Sequence, residues 1–550
     1  MSLHPEPLGP IPAETARVAR AAFPKGNVYL RMRDELGRLY DDEAFAPLFP
    51  RRGQPAAAPW RLALITVLQY AEGLSDRQAA DAVRSRLDWK YALGLELTDP
   101  GFDASVLSEF RSRLVAGHAE SQLLDAMLAR FQTAGLLKAR GRQRTDSTHV
   151  LAAIRALDRL ETVGETLRHA LNTLASVAPA WLQPHLEPAW RERYGPRFEP
   201  YRLPKDPAER TALAEQIGAD GFHLLAAVGS AEAPGWLWEV PAVETLRQVW
   251  VQQYYAPTAE VRWRPSADLP PAGRAINSPY DRDARYSTKR EVHWVGYKVH
   301  LTETCEPDAP HLLTHVESTP GTTADVDVLP RIHAALDAKG CAPREQLVDT
   351  GYLAAATLVS SAHSHAIRVV GPVLPESTWQ ARAGAGFAVA DFTVEWAARR
   401  ARCPMGQTST QWTVTRDRHG HEVIHIGFAR AACRACPRRA QCTRARAGPR
   451  AITVRPEAQQ RALQAARQQQ TTAAFQAAYH ARAGVEGTLS QGVRVAHLRR
   501  ARYVGQAKVR LQHVLTAAGL NVRRLGAWWQ EQAFAPTRQA RFVALLAASA

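Results

Sequence analysis

Cysteine is scarce in this chain: six in 550 residues cannot supply a disulfide framework, and reduced thiols fit a cytoplasmic protein. The first ten residues have neither the basic start nor the apolar core of a signal peptide. Long apolar runs are missing as well, and even the stretch from Phe542 to Ala550 is too short to cross a bilayer, so no membrane partner is expected. Negative charge is in deficit. Lys plus Arg number 69 against 53 Asp plus Glu, a net charge of +16. Such a field favours a polyanionic partner, with a merely basic surface as the bland alternative. What remains, 46% hydrophobic and 22% charged residues, is the balance of a folded soluble protein long enough for two to four domains.

The first 140 residues read as mostly helical. Ser75 with Gln78 three residues on forms a capping box, opening a helix after the Gly73-Leu74 turn, and an amphipathic run from Trp60 to Glu72 precedes it. A further helix from Asp103 to Leu114 carries Arg111 and Arg113 on what reads as its polar face. Short helices with basic faces are how a helix-turn-helix reader is built, although three-helix units without DNA contacts share the pattern. Residues 141–154 contain a strand-like run ending at Asp146. The stretch 155–280 looks inserted: a helical pattern from Leu160 to Leu174, then a Pro- and Trp-rich region whose Trp181, Trp190, Trp236, Trp238, Trp250 and Trp263 read as packing residues of an accessory unit before base-stacking platforms. Residues 281–374 turn to strands (His293 to Leu301, Leu312 to Ser318), a helix from Ala324 to the Gly340 stop, a strand ending at Asp349, a helix from Ala354 and a strand from Ile367. Residues 375–470 form a β-rich second insertion, and 471–550 a core helix with a helical tail. The order β, insertion, β, β, α, β, α, β, insertion, α is that of an RNase H-like fold interrupted twice: an α/β protein whose mixed-sheet catalytic core follows an α-helical N-terminal DNA-binding domain.

Three acidic residues carry the functional reading. Tyr479, Arg482 and Glu486 recur at steps of three and four, which on a helix share one face with Phe475. Asp146 and Asp349 each end a β-prone run and precede small or hydroxyl residues. Phosphoryl transfer on DNA must activate an oxygen nucleophile and neutralise the leaving group, and two Mg²⁺ ions roughly 3.5–4 Å apart do both. Mg²⁺ takes oxygen ligands, so carboxylates at strand ends with a third on a helix would suit it. In this reading Asp146 bridges both ions, Asp349 holds one and Glu486 the other, with Mn²⁺ as a substitute. A structural i, i+4 ion pair between Arg482 and Glu486 would also explain that helix face.

With its Tyr-x2-Arg-x3-Glu signature, the order Asp146, Asp349, Glu486 resembles the DDE transposases of bacterial insertion sequences, in the group marked by a Tyr-Arg-Glu-Lys motif. The similarity extends to Ser105–Leu114, Asp281–Arg285 and Gly296–His300. The resemblance implies Mg²⁺-dependent cleavage at element ends and strand transfer into target DNA, with the three carboxylates as metal ligands and Tyr479 and Arg482 on the DNA. The double-stranded partners would be the terminal inverted repeats and the target, engaged by a homodimer because two ends must be joined. One departure is visible: the expected lysine is Val493, with Arg494 beside it, so the cationic phosphate contact has either shifted by one position or been lost. A catalytically inactive DNA-binding regulator and a metal-dependent nuclease of the same fold are the competing readings.

Four of the six cysteines, Cys403, Cys433, Cys436 and Cys442, fall in the second insertion around a C-x2-C half-site, a spacing that suits tetrahedral Zn²⁺ stapling a β-hairpin; four metal-free thiols are the alternative. His419, His421 and His425 read as lying along the hairpin surface. Arg434, Arg438, Arg439, Arg444 and Arg446, with Arg499, Arg500 and Arg502 later, are expected to track a DNA backbone.

Overall fold

The structure is a computed structural model that describes residues 9–255 and 260–532 with isolated positions near both termini; most of the expected helical tail beyond residue 532 lies outside them. A mixed sheet forms the centre of an α/β fold. Its strands are β1 (Arg142–Leu151), β2 (Arg285–Lys289), β3 (Val292–Thr304), β4 (Leu313–Pro320), β5 (Glu345–Leu347) and β6 (Arg368–Val370). β1 lies between an antiparallel β3 and a parallel β5, and β5 is parallel to β6. β4 and β2 pair antiparallel with successive parts of β3, residues 297–303 and 292–296. Two helices, Asp325–Ala338 and Ala355–His365, connect β4 to β5 and β5 to β6, the second as the crossover that the parallel neighbours β5 and β6 need.

Gly296 shows why the long β3 carries a glycine. Its φ is +153°, and a Cβ there would sit 2.1 Å from the Val150 carbonyl oxygen and 2.7 Å from the Ala152 amide. Only a residue without a side chain lets β3 pass the end of β1 that closely.

The helices before β1 do not stand apart. Pro59–Glu72, Ser105–Ala116 and Gln122–Thr133 share one apolar core with the sheet and the long C-terminal helix Gln506–Trp529. That helix crosses Pro59–Glu72 with backbones touching, since a Cβ on Gly519 would lie 2.7 Å from the Ala71 amide. The capping box at Ser75 forms as the sequence predicts, each partner bonding the other's backbone.

The expected DNA-facing side of Ser105–Ala116 is corrected by this packing. Arg111 is buried, and its guanidinium donates twice to Asp76, at 3.0 and 2.6 Å. Arg113 donates to Glu109 and the Leu48 carbonyl and lies over the Phe49 ring. The reason is register: Leu107, Phe110, Arg111 and Leu114 form a single i, i+3, i+4, i+7 stripe, so Arg111 faces inward with the apolar residues.

The segment 155–280 has its own core, built by the Arg159–Val177, Pro207–Val228 and Pro241–Gln253 helices. Trp190 and Trp250 are buried in it, as packing residues, whereas Trp236 and Trp238 are exposed. The second insertion is a smaller β unit: a ribbon of β7 (Thr393–Glu395) and β8 (Arg400–Arg402), then a three-stranded sheet of β9 (Ser409–Arg416), β10 (Glu422–Phe428) and β11 (Ala451–Val454). Its β9–β10 turn falls at Asp417–Gly420, as the composition predicts, and His419, His421 and His425 are exposed along it. Among the described residues, no helix is long and apolar enough to cross a membrane.

Candidate active site

The parallel pairing of β1 with β5 ends at Arg144 opposite Leu347. Two residues further along each chain, on the same face, stand Asp146 and Asp349. Asp349 leaves the strand and caps a short 3-10 turn, its Oδ1 accepting the Gly351 amide at 2.9 Å. Asp146 differs from its sequence reading: it does not end a strand but sits inside β1, which continues to Leu151 because β3 accompanies it that far. Its β5 side is open from this point, so the carboxylate reaches the top of the sheet even from mid-strand.

The segment with Tyr479, Arg482 and Glu486 crosses above. It is not one regular helix: Ala473–His480 and Gly484–Ala496 are joined by a 3-10 turn, Ala481–Ala483. Arg144 explains the break. Its Nη1 donates to the Ala481 carbonyl at 2.5 Å, taking an acceptor that a continuous helix would use internally. A Cβ on Gly484 would lie 2.0 Å from the same nitrogen, so any side chain there would displace the Arg144 guanidinium. Phe475 and Ala481 pack on Cys305, Leu347 and Val370, seating this segment on the ends of β5 and β6, and the Phe475 and Tyr479 rings stack at 5.5 Å.

Arg482 joins two of the three acids. Its Nη2 donates to Asp146 Oδ2 at 2.8 Å and its Nη1 to Glu486 Oε1 at 3.1 Å, while its buried Nε has no acceptor. The i, i+4 ion pair is therefore real, and the same guanidinium also reaches the sheet. Burial pushes the Asp146 carboxyl above its ordinary pKa and the charge of Asp349 adds to this, against the opposing pull of Arg482 and the Ser147 amide. Burial disfavours the charged Arg482, but Asp146, Tyr479 and Asp349 outweigh it and hold its pKa above the usual value. Burial likewise raises that of the Tyr479 phenol.

The three carboxylates are not drawn together into one ligand set in this arrangement. Among the described residues, no three His, Cys, Asp or Glu side chains stand where they could hold a metal ion. Arg482 fills the space between Asp146 and Glu486 instead, because two carboxylates facing each other across a half-buried gap need a cation between them. Cys403, Cys433, Cys436 and Cys442 are free and half-buried, and as their side chains stand no three of them could hold a metal ion. Arg494 is exposed at the end of its helix, while Val493 packs into the core.

Sequence reasoning missed the network beneath the site. Glu303 on β3, opposite Arg144 on β1, is fully buried and accepts from Arg144 Nε at 2.6 Å, Arg524 Nη1 at 2.5 Å and Thr488 at 2.6 Å. It ties β1, the Gly484–Ala496 helix and the C-terminal helix together at one point. The available signal was a glutamate between Thr302 and Thr304, directly after the β-prone run ending at Leu301. Asp325, at the start of its crossover helix, accepts from Lys298 and Ser147, each at 3.2 Å, and supports the far face of the Asp146 segment. Arg499 donates to Thr148 at 2.8 Å, placing exposed positive charge along the end of β1.

Two segments match family models. Residues 17–113 match a transposase domain (DUF772), and residues 402–526 match a transposase DDE domain. Both descriptions name transposase domains, and Glu486 lies inside the second match while Asp146 and Asp349 lie outside both. No curated protein matches the chain. No solved structure matches it either.

Proposed function

We propose that this chain is a DDE transposase that cleaves DNA at the ends of an insertion sequence and joins them to target DNA, with Asp146, Asp349 and Glu486 as ligands of Mg²⁺. One observation carries the reading: Asp146 and Asp349 each stand two residues beyond the last β1–β5 pair, close enough for the charge of Asp349 to act on Asp146, and a single guanidinium links Asp146 to Glu486 on the crossing helix. The strand arrangement, with β1 between β3 and β5 and two segments inserted, supports an RNase H-like core.

The donor set suits the ion. Three hard oxygen donors come from separate elements, and the space they border already holds positive charge in Arg482. Mg²⁺, when bound, activates the attacking oxygen and offsets charge on the leaving oxygen. The chain's own residues position the DNA. Released from the acids, Arg482 presents a planar fork to a phosphodiester, and the Tyr479 hydroxyl, still protonated at neutral pH, donates beside it. Arg494, Arg499 and Arg500, all exposed, hold the backbone without reading sequence. The buried Arg111 takes no part in this. Joining two ends calls for two copies acting together, and a cytoplasmic site of action fits the reduced thiols.

Asp146→Asn and Glu486→Gln should each abolish Mg²⁺-dependent nicking of DNA carrying the element's ends while leaving gel retardation intact. Nicking by either variant at the wild-type rate would remove these residues from the chemistry. A wild-type protein that binds but never cuts would favour the regulator reading, and cutting without joining the nuclease.

A further inference from the structure

Beside the DNA chemistry, the second insertion holds an unassigned cluster. Cys403, Cys433, Cys436 and Cys442 all line one small cavity, open to solvent, with Phe387, Phe428, Arg439 and Arg450. The four come from three local structures. Cys403 begins a tight turn closed by the Gly406 amide on the Cys403 carbonyl at 2.8 Å, with Gly406 at φ +78°. That turn aims the Gln407 N–H at Cys403 Sγ, 3.3 Å away. Cys433 and Cys436 lie on and just after the Arg430–Ala435 helical turn, and Cys442 ends the Arg439–Cys442 turn.

A second observation concerns charge. Arg439 and Arg450 donate through Nη2 to the carbonyls of Ala445, Gly448 and Phe387, but the Nε of each is buried without an acceptor, which costs free energy unless a further acceptor faces it. The cavity they line together contains no carboxylate. Its only source of negative charge is the thiols.

We infer that this cavity is a tetrathiolate site for a soft divalent cation, Zn²⁺. Binding removes one proton from each of four thiols, which pass to solvent as four H⁺, and the resulting zinc–tetrathiolate centre carries a net charge of −2. Two guanidinium N–H groups on its border balance that charge and donate to its sulfurs, as the Gln407 amide already does to Cys403. Tetrahedral sulfur coordination selects zinc over the hard Mg²⁺ of the carboxylates. As the thiols are turned here, no three of them stand where they could hold an ion; rotation about each Cα–Cβ bond swings a sulfur while the backbone stays in place. The ion would staple β8 to the turns before β11, around an apolar cluster whose fully buried members are few.

The test uses the full chain purified from zinc-supplemented cells. Elemental analysis should find about one Zn per chain, and Co²⁺ added to stripped protein should give the visible spectrum of tetrahedral thiolate coordination. Alkylation followed by mass spectrometry should show all four cysteines protected by Zn²⁺ and exposed after chelation. The alkylation readout on the wild type keeps the test valid if Cys433→Ser/Cys436→Ser protein fails to fold. Absence of zinc together with a colourless Co²⁺ titration overturns the site, and zinc that leaves these four cysteines equally reactive assigns it elsewhere. Asp146→Asn protein should behave as wild type in each measurement, so failure here is distinct from failure of the transposase reading.

Discussion

Glu303 offers the sharpest test of how the candidate site is held. Its side chain is wholly buried between two guanidiniums that are themselves only 7% and 13% exposed. Burial alone would push this carboxyl up, yet Arg524 and Arg144 outweigh it and hold its pKa below the ordinary carboxylate value. Glu303→Ala leaves two cations facing each other with no anion between them and leaves Thr488 only its longer bond to the Gly484 carbonyl, at 3.4 Å. Removing one partner of a buried ion pair costs about 3–5 kcal/mol, and the three lost bonds, all to a charged group, place this case at the upper end. Glu303→Gln keeps the shape but not the charge, and turns an amide N–H₂ toward an arginine, so it should lose at least half as much. Equilibrium urea unfolding followed by far-ultraviolet circular dichroism measures both. Arg524→Met in the Glu303→Ala background should recover part of the loss, because one orphaned charge goes with it. A loss below about 1 kcal/mol for Glu303→Ala would refute the claim that this network fixes the crossing helix.

Acid should weaken the fold well above the carboxylate range. His513 is pushed down to about 3, and His300 and His333 to about 4, all by burial. Each stays neutral in the fold but gains a proton on unfolding below its ordinary value of 6.5, so stability is full above that pH and is lost as pH falls toward 4, by about 1.4 kcal/mol per unit for each histidine; urea midpoints unchanged between pH 6.5 and 5 would contradict this. Gly296→Ala forces a Cβ onto the Val150 carbonyl and should cost at least about 2 kcal/mol, whereas Gly487→Ala, with nothing within 4 Å of the new Cβ, should be neutral or stabilising by up to about 1 kcal/mol. Equal midpoints for the two variants in thermal denaturation would break the argument.

Much of the fold was legible because its signals are local. The capping box at Ser75, the crossover helix starting near Ala324 and the turn at Asp417–Gly420 each rest on a few neighbouring residues. The failures have a common cause in partners remote along the chain. Arg111 reads as surface charge until its place on the Leu107–Leu114 stripe is weighed, and its partner Asp76 is 35 residues away. The break at Ala481 follows from Arg144, 337 residues distant, and no helical periodicity contains it. Asp281 and His300, within motifs that looked functional, serve packing: Asp281 accepts the Tyr297 hydroxyl at 2.6 Å, and His300 is hydrogen-bonded to Tyr352 at 2.7 Å.

The two arginines at the site divide holding from yielding. Arg144 is fixed through Glu303, the Ala481 carbonyl and His311, so it sets where the crossing helix sits. Arg482 is bound less evenly. Its contact with Asp146 is mostly buried, but Glu486 is 65% exposed, and an ion pair to so exposed a carboxylate contributes only about 0–1 kcal/mol. The Glu486 half of the bridge can therefore open at small cost while Asp146 keeps its counter-charge, which is the order in which a site guarded by its own cation can admit another. It also means that Glu486→Gln removes little folding free energy. A loss of cleavage in that variant reports on the reaction itself, whereas the same loss in Glu303→Ala would report on the scaffold beneath it.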